Sequence, residues 1–300
     1  MGVLFMETKL LRTFLVVAQN KSFSKGAEIL NYAQSSISDQ IRKLENQLDT
    51  KLFERLGHDV YLTKDGETLL FYAKKILNLC EEAQNTISSS SSIIKGKLTI
   101  AMTESLCVFK YPKLFRDYRS LYPHVDLKIK IGHCYEFPNW IRKNMIDVAF
   151  SLNKPSNHPD IIEKALCDEP LTLIVNKNHP FTKEKYLVPS DLINENFILT
   201  QRGSHYRTLF EQYLGIHGVM AKSTLEFESI AAIKQLVKSG FGLSFLPRVT
   251  VKEELANKEL FEVLMEDKTF SIPNNITYHK DKWISPPINA LFNLVDKSTQ

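Results

Sequence analysis

One short stretch of the chain gathers side chains that can hydrogen-bond to nucleic-acid bases and phosphates. A helix expected over residues 34–48 carries them on one side: Gln34, Ser35, Ser38, Asp39 and Arg42. A glutamine can form two hydrogen bonds with adenine, and a serine can donate or accept. The face therefore predicts DNA recognition, although a solvated face on a small helical bundle would have the same polarity.

The elements around this face must hold it in place. The opposite side of the same helix is an apolar stripe with spacings of 4, 3 and 4, formed by Ile37, Ile41, Leu44 and Leu48. Such a stripe packs against a core and turns the polar side outward. Two helical patterns precede it, one over residues 7–19 and a shorter one for which Ser24 is the expected N-cap.

A β-hairpin is expected directly after these helices. Strand-like runs cover residues 51–55 and 60–63, with a turn at Gly57. Helix–turn–helix followed by a hairpin is the winged arrangement, in which the second helix enters the major groove. Arg55 and His58 would then contact phosphates or a narrow minor groove, the alternative for both being an ordinary exposed surface.

Bulk composition limits the class of protein without pointing to DNA. The 300 residues suggest about two domains, and a hydrophobic content of 43% excludes wholesale disorder. The net charge is only +4, so any DNA site depends on where its residues are placed. No apolar run approaches the ~18 residues of a membrane span. The four cysteines are too widely spaced for a disulfide scaffold or a zinc site, which predicts a soluble, reduced, cytoplasmic protein.

Catalytic patterns are absent from the sequence. It has no nucleophile elbow, zinc-protease motif, phosphate loop or dinucleotide-binding glycine motif, so neither an enzyme nor a metal or cofactor is expected. Two hypotheses remain beside DNA binding. One is a cytoplasmic small-metabolite-binding protein whose N-terminal helices only mediate dimerisation, and the other is an enzyme with an α/β substrate domain.

The order of these motifs resembles that of LysR-type transcriptional regulators. The resemblance runs through residues 22–30, 32–41, 44–45, 52–55 and 62–66. It implies that Gln34, Ser35, Ser38 and Asp39 face the groove and that Arg55 is the arginine of the wing. Family members often carry a basic residue at the position of Asp39. An acid there can accept from cytosine N4 but repels phosphate.

The resemblance also implies three segments. Residues 1–66 would be a winged helix-turn-helix DNA-binding domain, 67–92 a linker helix that begins after an N-cap at Thr63, and 93–300 an effector-binding domain. The linker carries an apolar stripe: Leu69, Leu70, Ala73, Ile76, Leu77, Cys80, Ala83, Gln84 and Ile87. Pairing with a second copy would bury it, the alternative being the same subunit's C-terminal domain.

Self-association would decide what kind of DNA is read. The family implies a homodimer through the linker helix, commonly associated further into a homotetramer. A two-fold dimer reads two half-sites, so double-stranded DNA with an inverted-repeat promoter site is the expected partner, and RNA polymerase is a further one.

The rest of the chain predicts an α/β fold. Strand and helix patterns alternate from Lys97 onward, which indicates mostly parallel sheets covered by helices. Residues 112–115, 146–150 and 237–247 resemble the LysR-type effector domain, whose fold is two-lobed and periplasmic-binding-protein-like. Lobe one would take residues 97–167 and about 270–300, and lobe two 168–269. The crossovers would lie near 166–169 and 268–273.

Six residues are candidates for effector binding: Thr103, Ser105, His133, Arg202, Ser204 and Ser229. Most follow predicted strands, where helix N-termini offer free N–H groups, and His133 is added by the resemblance. Each has an alternative role as a helix cap or loop residue. Because Arg202 could pair with a carboxylate in two hydrogen bonds, the expected effector is a small carboxylated metabolite. Its binding would reorient the lobes and change the spacing of the DNA-binding heads.

Overall fold

The computed structural model describes residues 6–56, 59–87, 93–156, 158–220 and 223–298. It divides the chain into two compact units, Met1–Ile93 and Ile94–Gln300. Within the described ranges, no helix is both long enough and apolar enough to cross a membrane.

The first unit is helical with one hairpin. Its elements are α1 Thr8–Asn20, α2 Phe23–Leu30, α3 Gln34–Leu48, β1 Phe53–Leu56, β2 Asp59–Leu62 and α4 Lys64–Ile87. Helix α3 has the bounds that its apolar stripe predicts. The predicted N-cap of α2 is wrong: the cap is Ser22, whose hydroxyl accepts from the N–H of Lys25. Ser22 has the extended backbone that a cap requires, and Ser24 already lies inside the helix.

The apolar faces of the first three helices form the core of this unit. Leu11, Phe14, Val17, Ile37 and Leu44 are fully buried there. Since Ile37 and Leu44 belong to the predicted stripe of α3, this packing fixes which side of α3 faces outward.

The junction between hairpin and α4 is tightly built. The hydroxyl of Thr63 accepts from the N–H of Gly66 at 2.9 Å, which confirms Thr63 as the cap of α4. The carbonyl of Leu52 accepts from the N–H of Thr63 at 3.1 Å. A Cβ atom on Gly66 would lie 2.2 Å from that carbonyl oxygen. The helix can therefore approach the hairpin this closely only because residue 66 is glycine.

Part of the apolar stripe of α4 packs against the core of the first unit. Leu69 and Ala73 are buried in the core of the first unit, and three further stripe residues pack against that core: Leu70, Ile76 and Leu77. The prediction that a second copy of the protein buries the whole stripe is thus wrong for the first half of the stripe, which the first unit itself buries. Tyr72 and Leu79 are exposed on the described part of the helix.

The second unit contains strands β3 to β11. They are β3 Gly96–Met102, β4 Val125–Ile131, β5 Val148–Leu152, β6 Ile161–Asn176, β7 Asn196–Thr200, β8 Ser223–Phe227, β9 Ser244–Pro247, β10 Leu260–Val263 and β11 Phe270–His279. The helices are a π-helical turn Ser105–Lys110, α5 Pro112–Leu121, α6 Phe137–Arg142, α7 His205–Ile216, α8 Ile230–Lys238, α9 Lys252–Ala256 and α10 Pro286–Ser298. Short 3₁₀ turns lie at Pro180–Lys183, Pro189–Leu192 and Arg248–Val251.

The main sheet is mixed, not mostly parallel. Its seven strands follow the order β10-β6-β11-β5-β3-β4, with β9 also paired to β6. Strand β3 is parallel to β4 and β5, while β6 is antiparallel to β9, β10 and β11, and β11 is antiparallel to β5. The prediction failed because two long strands carry the chain across the unit in opposite directions and pair with each other. Strands β7 and β8 form a separate parallel pair.

Strands β6 and β11 contain both predicted crossovers. They are paired from Leu171 with Phe270 to Ile161 with His279, and the register shifts between Asn274 and Asn275. A cluster of buried and partly buried polar side chains adjoins this stretch. Its members, which we call the hinge cluster, are Lys110, Tyr111, Cys167, Glu169 and Asn274.

Hydrogen bonds tie the hinge cluster together. The ammonium of Lys110 lies 2.5 Å from Glu169 Oε2 and donates to Cys167 Sγ at 3.2 Å. The side-chain amide of Asn274 donates to the Tyr111 hydroxyl at 2.6 Å. Glu169 is 4% exposed and Asn274 fully buried, so these polar groups depend on one another for partners.

Candidate functional sites

The outer face of α3 presents the five residues that the sequence places there. Gln34, Ser35, Asp39 and Arg42 are exposed and Ser38 is half-buried. Two hydrogen bonds hold α3 against α1 and its N-cap Glu7. Thr13 on α1 donates to Gln40 Oε1 at 2.7 Å, and Lys43 donates to Glu7 at 2.6 Å. The result is a firmly held polar surface with hydrogen-bonding groups free to meet a base edge.

Asp39 and Arg42 are neighbours on this face. Their charged atoms are 3.9 Å apart, and both side chains are about seven-tenths exposed. A contact this exposed contributes little to stability. It does place an acid beside the one arginine of the face, which tempers its attraction for phosphate.

The Asp39→Arg variant is therefore expected to bind random-sequence DNA more tightly. Removing an acid and adding a base provides about one further phosphate contact, so affinity should rise roughly tenfold at low salt. The slope of log affinity against log salt should steepen by about one. Fluorescence anisotropy with a random duplex over a salt titration measures both. Asp39→Asn, which adds no positive charge, serves as the control. An unchanged salt slope in Asp39→Arg would remove Asp39 from the DNA face.

The two wing residues are less well described. Arg55 lies on β1 opposite Val60. Its side chain and the whole of His58 lie outside the described residues, so their contacts with DNA stay predictions.

A cavity of about 440 Å³ lies within the second unit. It opens where β3, β4 and β7 end and where α8 begins. Five of the six predicted effector-binding residues line it: Thr103, Ser105, His133, Ser204 and Ser229. These five come from both predicted lobes, two of them from lobe two.

Arg202 is not brought to the cavity. It is exposed, and its backbone N–H donates to Glu226 Oε1 at 3.3 Å. Glu226 in turn accepts from the buried Arg207 at 2.6 Å, and Arg207 also donates to the Thr200 carbonyl at 2.5 Å. These bonds fix the loop between β7 and α7 in a form that leaves Arg202 off the wall. The predicted two-bond contact between Arg202 and a ligand carboxylate has no support in this geometry.

Several residues of the wall were not predicted. Among them are Glu104, Cys134, Tyr135, Gln201, His205, Tyr206 and Glu228. Each lies within two positions of a predicted residue, so extending each predicted position to its sequence neighbours would have identified them. Two make contacts across the cavity: Gln201 Nε2 lies 2.6 and 2.9 Å from the ring nitrogens of His133, and Glu104 accepts from the N–H of Ile230 at 3.3 Å.

Burial keeps three titratable groups of the wall uncharged, those of Cys134, His205 and Tyr206. It raises the pKa of the Cys134 thiol to about 12 and that of the Tyr206 phenol to about 12. It lowers the pKa of His205 below its ordinary value. At neutral pH these three residues offer hydrogen bonds, not charge, to whatever occupies the cavity.

Comparison with protein families covers both parts of the chain. Residues 8–67 match the bacterial regulatory helix-turn-helix protein model of the LysR family, and residues 93–300 match the LysR substrate binding domain. A match to a DNA-binding family at the N-terminus removes the hypothesis that these helices only dimerise. Both matches belong to regulators, so the enzyme hypothesis is removed as well.

Relatives and solved structures agree with this. The transcriptional regulators YwqM and GltR of Bacillus subtilis are 35% and 31% identical, covering 98% and 95% of this chain and 99% and 94% of their own. A full-length OxyR point variant from Pseudomonas aeruginosa has a TM-score of 0.76 at 22% identity, covering 98% of this chain and 95% of that one. Full-length CbnR in complex with its target DNA has a TM-score of 0.67 at 22% identity, covering 98% and 100%. The chain belongs to the LysR family, as a DNA-binding transcriptional regulator with a helix-turn-helix domain and an effector-binding domain.

Proposed function

We propose that the protein binds an inverted repeat in promoter DNA as a homodimer, and that a small molecule in the 440 Å³ cavity controls this binding. The observation that carries the proposal is that both predicted lobes contribute to one cavity wall. A ligand held by both lobes binds some lobe orientations better than others, and this difference in affinity shifts the equilibrium between them.

The DNA contacts follow from the face of α3. Gln34, Ser35, Ser38, Asp39 and Arg42 enter the major groove and read base edges or bind phosphate. The wing residues Arg55 and His58 contact the backbone or minor groove. Because the net charge is only +4, affinity for non-specific DNA is weak and specificity depends on two half-sites together.

The dimer forms through the exposed side of α4. The first five residues of the apolar stripe pack within the first unit, while Tyr72 and Leu79 expose apolar surface. A second copy covering this surface places two α3 helices on one duplex, about one helical turn apart. Two dimers join into a tetramer. Ligand binding changes the spacing of the heads and thereby access of RNA polymerase to the promoter, in the cytoplasm where the chromosome lies.

Replacing Gln34 by alanine is expected to weaken binding to the specific site by about 10- to 100-fold, because two hydrogen bonds to adenine are lost. The site is obtained by selecting duplexes from a random pool with the full-length protein, and affinities are measured by gel shift. Gln19→Ala, an exposed glutamine on α1, is the matched control.

The same selection tests the dimer. Selected duplexes should contain an inverted repeat, and inserting about half a helical turn between its halves should reduce affinity to the non-specific level. Selection of a single unrepeated half-site would contradict the proposed dimer. Equal losses in the Gln34 and Gln19 variants would contradict the role of α3.

A further inference from the structure

The charge of the cavity wall is negative. Glu104 and Glu228 line it, and among the described residues of the wall there is neither lysine nor arginine. Burial lowers the pKa of His205, which therefore adds no positive charge at neutral pH. A ligand carrying only negative charge would meet two carboxylates without a cationic side chain to offset them.

The N-terminus of α8, at one side of the cavity, is already occupied by the protein itself. The hydroxyl of Ser229 accepts from the N–H of Ala232 at 3.4 Å, and the carboxylate of Glu104 accepts from the N–H of Ile230 at 3.3 Å. The positive end of this helix is thus complemented by an acid of the chain. A ligand anion placed here would have to displace Glu104.

The N-terminus of α7, which also lines the cavity, is open. Its N-cap residue Ser204 makes no side-chain cap bond, so the first N–H groups of the helix have no partner from it. Three buried side-chain atoms beside it also lack a hydrogen bond of good geometry: Thr200 Oγ1, Ser204 Oγ and His205 Nδ1. The Tyr206 phenol lies beside the two hydroxyls. Thr200 is only 6% exposed.

Buried polar atoms without a well-aligned hydrogen bond are costly unless a ligand or water meets them. Free N–H groups at the positive end of a helix, with hydroxyls next to them, suit a carboxylate. The carboxylates of Glu104 and Glu228 suit a protonated amine. The wall of this one cavity therefore offers partners for both a negative and a positive group on one molecule.

We propose that the effector is a small zwitterion of the amino-acid type. Its carboxylate binds at the start of α7, against Ser204 and the first N–H groups of the helix, and its ammonium group binds between Glu104 and Glu228. The proposal rests on the proposed function, since it specifies the ligand of the same cavity. The proposed ligand still has the carboxylate that the sequence predicts, but this group binds at the start of α7 and not to Arg202. The ligand also carries a cationic group.

The test uses the full-length protein and the twenty standard amino acids at up to 10 mM, with binding measured by calorimetry. Each amino acid that binds is compared with its deaminated carboxylic acid and its decarboxylated amine. The amino acid should bind at least about tenfold more tightly than either, because each analogue lacks one of the two charged contacts.

The Glu104→Gln variant identifies the site. It should lose at least about tenfold in affinity for the amino acid while its affinity for the carboxylic acid stays the same or rises. Glu184→Gln, an exposed glutamate outside the cavity wall, should bind like the parent protein. Tryptophan fluorescence on unfolding verifies that both variants fold, since Trp140 and Trp283 both lie in the effector-binding unit.

The inference would be overturned if no amino acid binds, if the carboxylic acid binds as tightly as the amino acid, or if Glu104→Gln leaves the amino acid's affinity unchanged. A dicarboxylate that binds the cavity and alters DNA affinity would overturn the zwitterion and leave the proposed function standing. An amino acid that binds as expected without changing DNA affinity would support the zwitterion and contradict the proposed regulation.

Discussion

The Lys110→Met variant is expected to lose about 3 kcal/mol of unfolding free energy in the effector-binding unit. Glu169 is 4% exposed and its charge is met by the Lys110 ammonium at 2.5 Å. Methionine retains most of the side-chain volume but removes the counter-charge, so the carboxylate stays buried with a backbone N–H of Val249 at 3.3 Å as its remaining partner. Urea unfolding followed by tryptophan fluorescence measures the loss, because Trp140 and Trp283 both lie in this unit.

The double variant Lys110→Met with Glu169→Gln is the control. The glutamine carbonyl can still accept from Val249, and no charge remains buried, so most of the lost stability should return. Burial alone would lower the pKa of Lys110, but its hydrogen bond and charge contact with Glu169 outweigh burial and raise it. The stability that the Lys110 charge adds is therefore fully present just below the ordinary lysine pKa of 10.5 and is lost as pH rises through the higher folded-state pKa. Additive losses in the double variant would show that the two residues are not coupled.

Replacing Gly66 by alanine is expected to cost the DNA-binding unit about 3 kcal/mol and most of its affinity for DNA. The added methyl group would lie 2.2 Å from the carbonyl oxygen of Leu52, so backbone must move. That carbonyl accepts from Thr63, whose own hydroxyl caps α4, and Leu52 is 1% exposed in the core. Displacing it disturbs the base of the wing and the start of α4 together.

Gel shift and far-ultraviolet circular dichroism would measure this loss, while tryptophan-monitored unfolding of the effector-binding unit should be unchanged. Gly215→Ala on α7 is the control, because its added methyl group meets no atom within 4 Å and alanine favours a helix more than glycine does. Normal DNA binding by the Gly66 variant would show that the close contact between the hairpin and α4 is not needed for DNA affinity.

Local patterns predicted the DNA-binding unit well. The stripe through Ile37, Ile41 and Leu44 fixed both bounds of α3 and the side that faces outward, since periodicity and burial are properties of one helix. The cap at Thr63 was also predicted correctly, because capping depends on residues close together in sequence. The predicted cap at Ser24 was wrong because two serines stand close to the helix start, and the extended backbone that a cap requires occurs at Ser22.

Long-range packing accounts for what the sequence could not predict. The requirement for Gly66 comes from a carbonyl fourteen positions earlier, and the hinge cluster joins Lys110 to a strand that is remote in sequence. The expected crossovers near 166–169 and 268–273 lie within the long strands β6 and β11, whose antiparallel pairing makes the expected mostly parallel sheet a mixed one. Arg202 has the right chemistry for a carboxylate, but its own backbone N–H and the Arg207 guanidinium both donate to Glu226, and these bonds decide where its loop lies.

The pairing of β6 with β11 also limits how the lobes can move. Two strands that hydrogen-bond to each other across the junction cannot slide or part unless that ladder breaks, whereas a ladder tolerates a range of twist. The irregular register between Asn274 and Asn275 is where twist changes most easily, since a bulge increases it locally. A ligand that bridges the lobes is thus expected to change the rotation of one lobe relative to the other more than the distance between them.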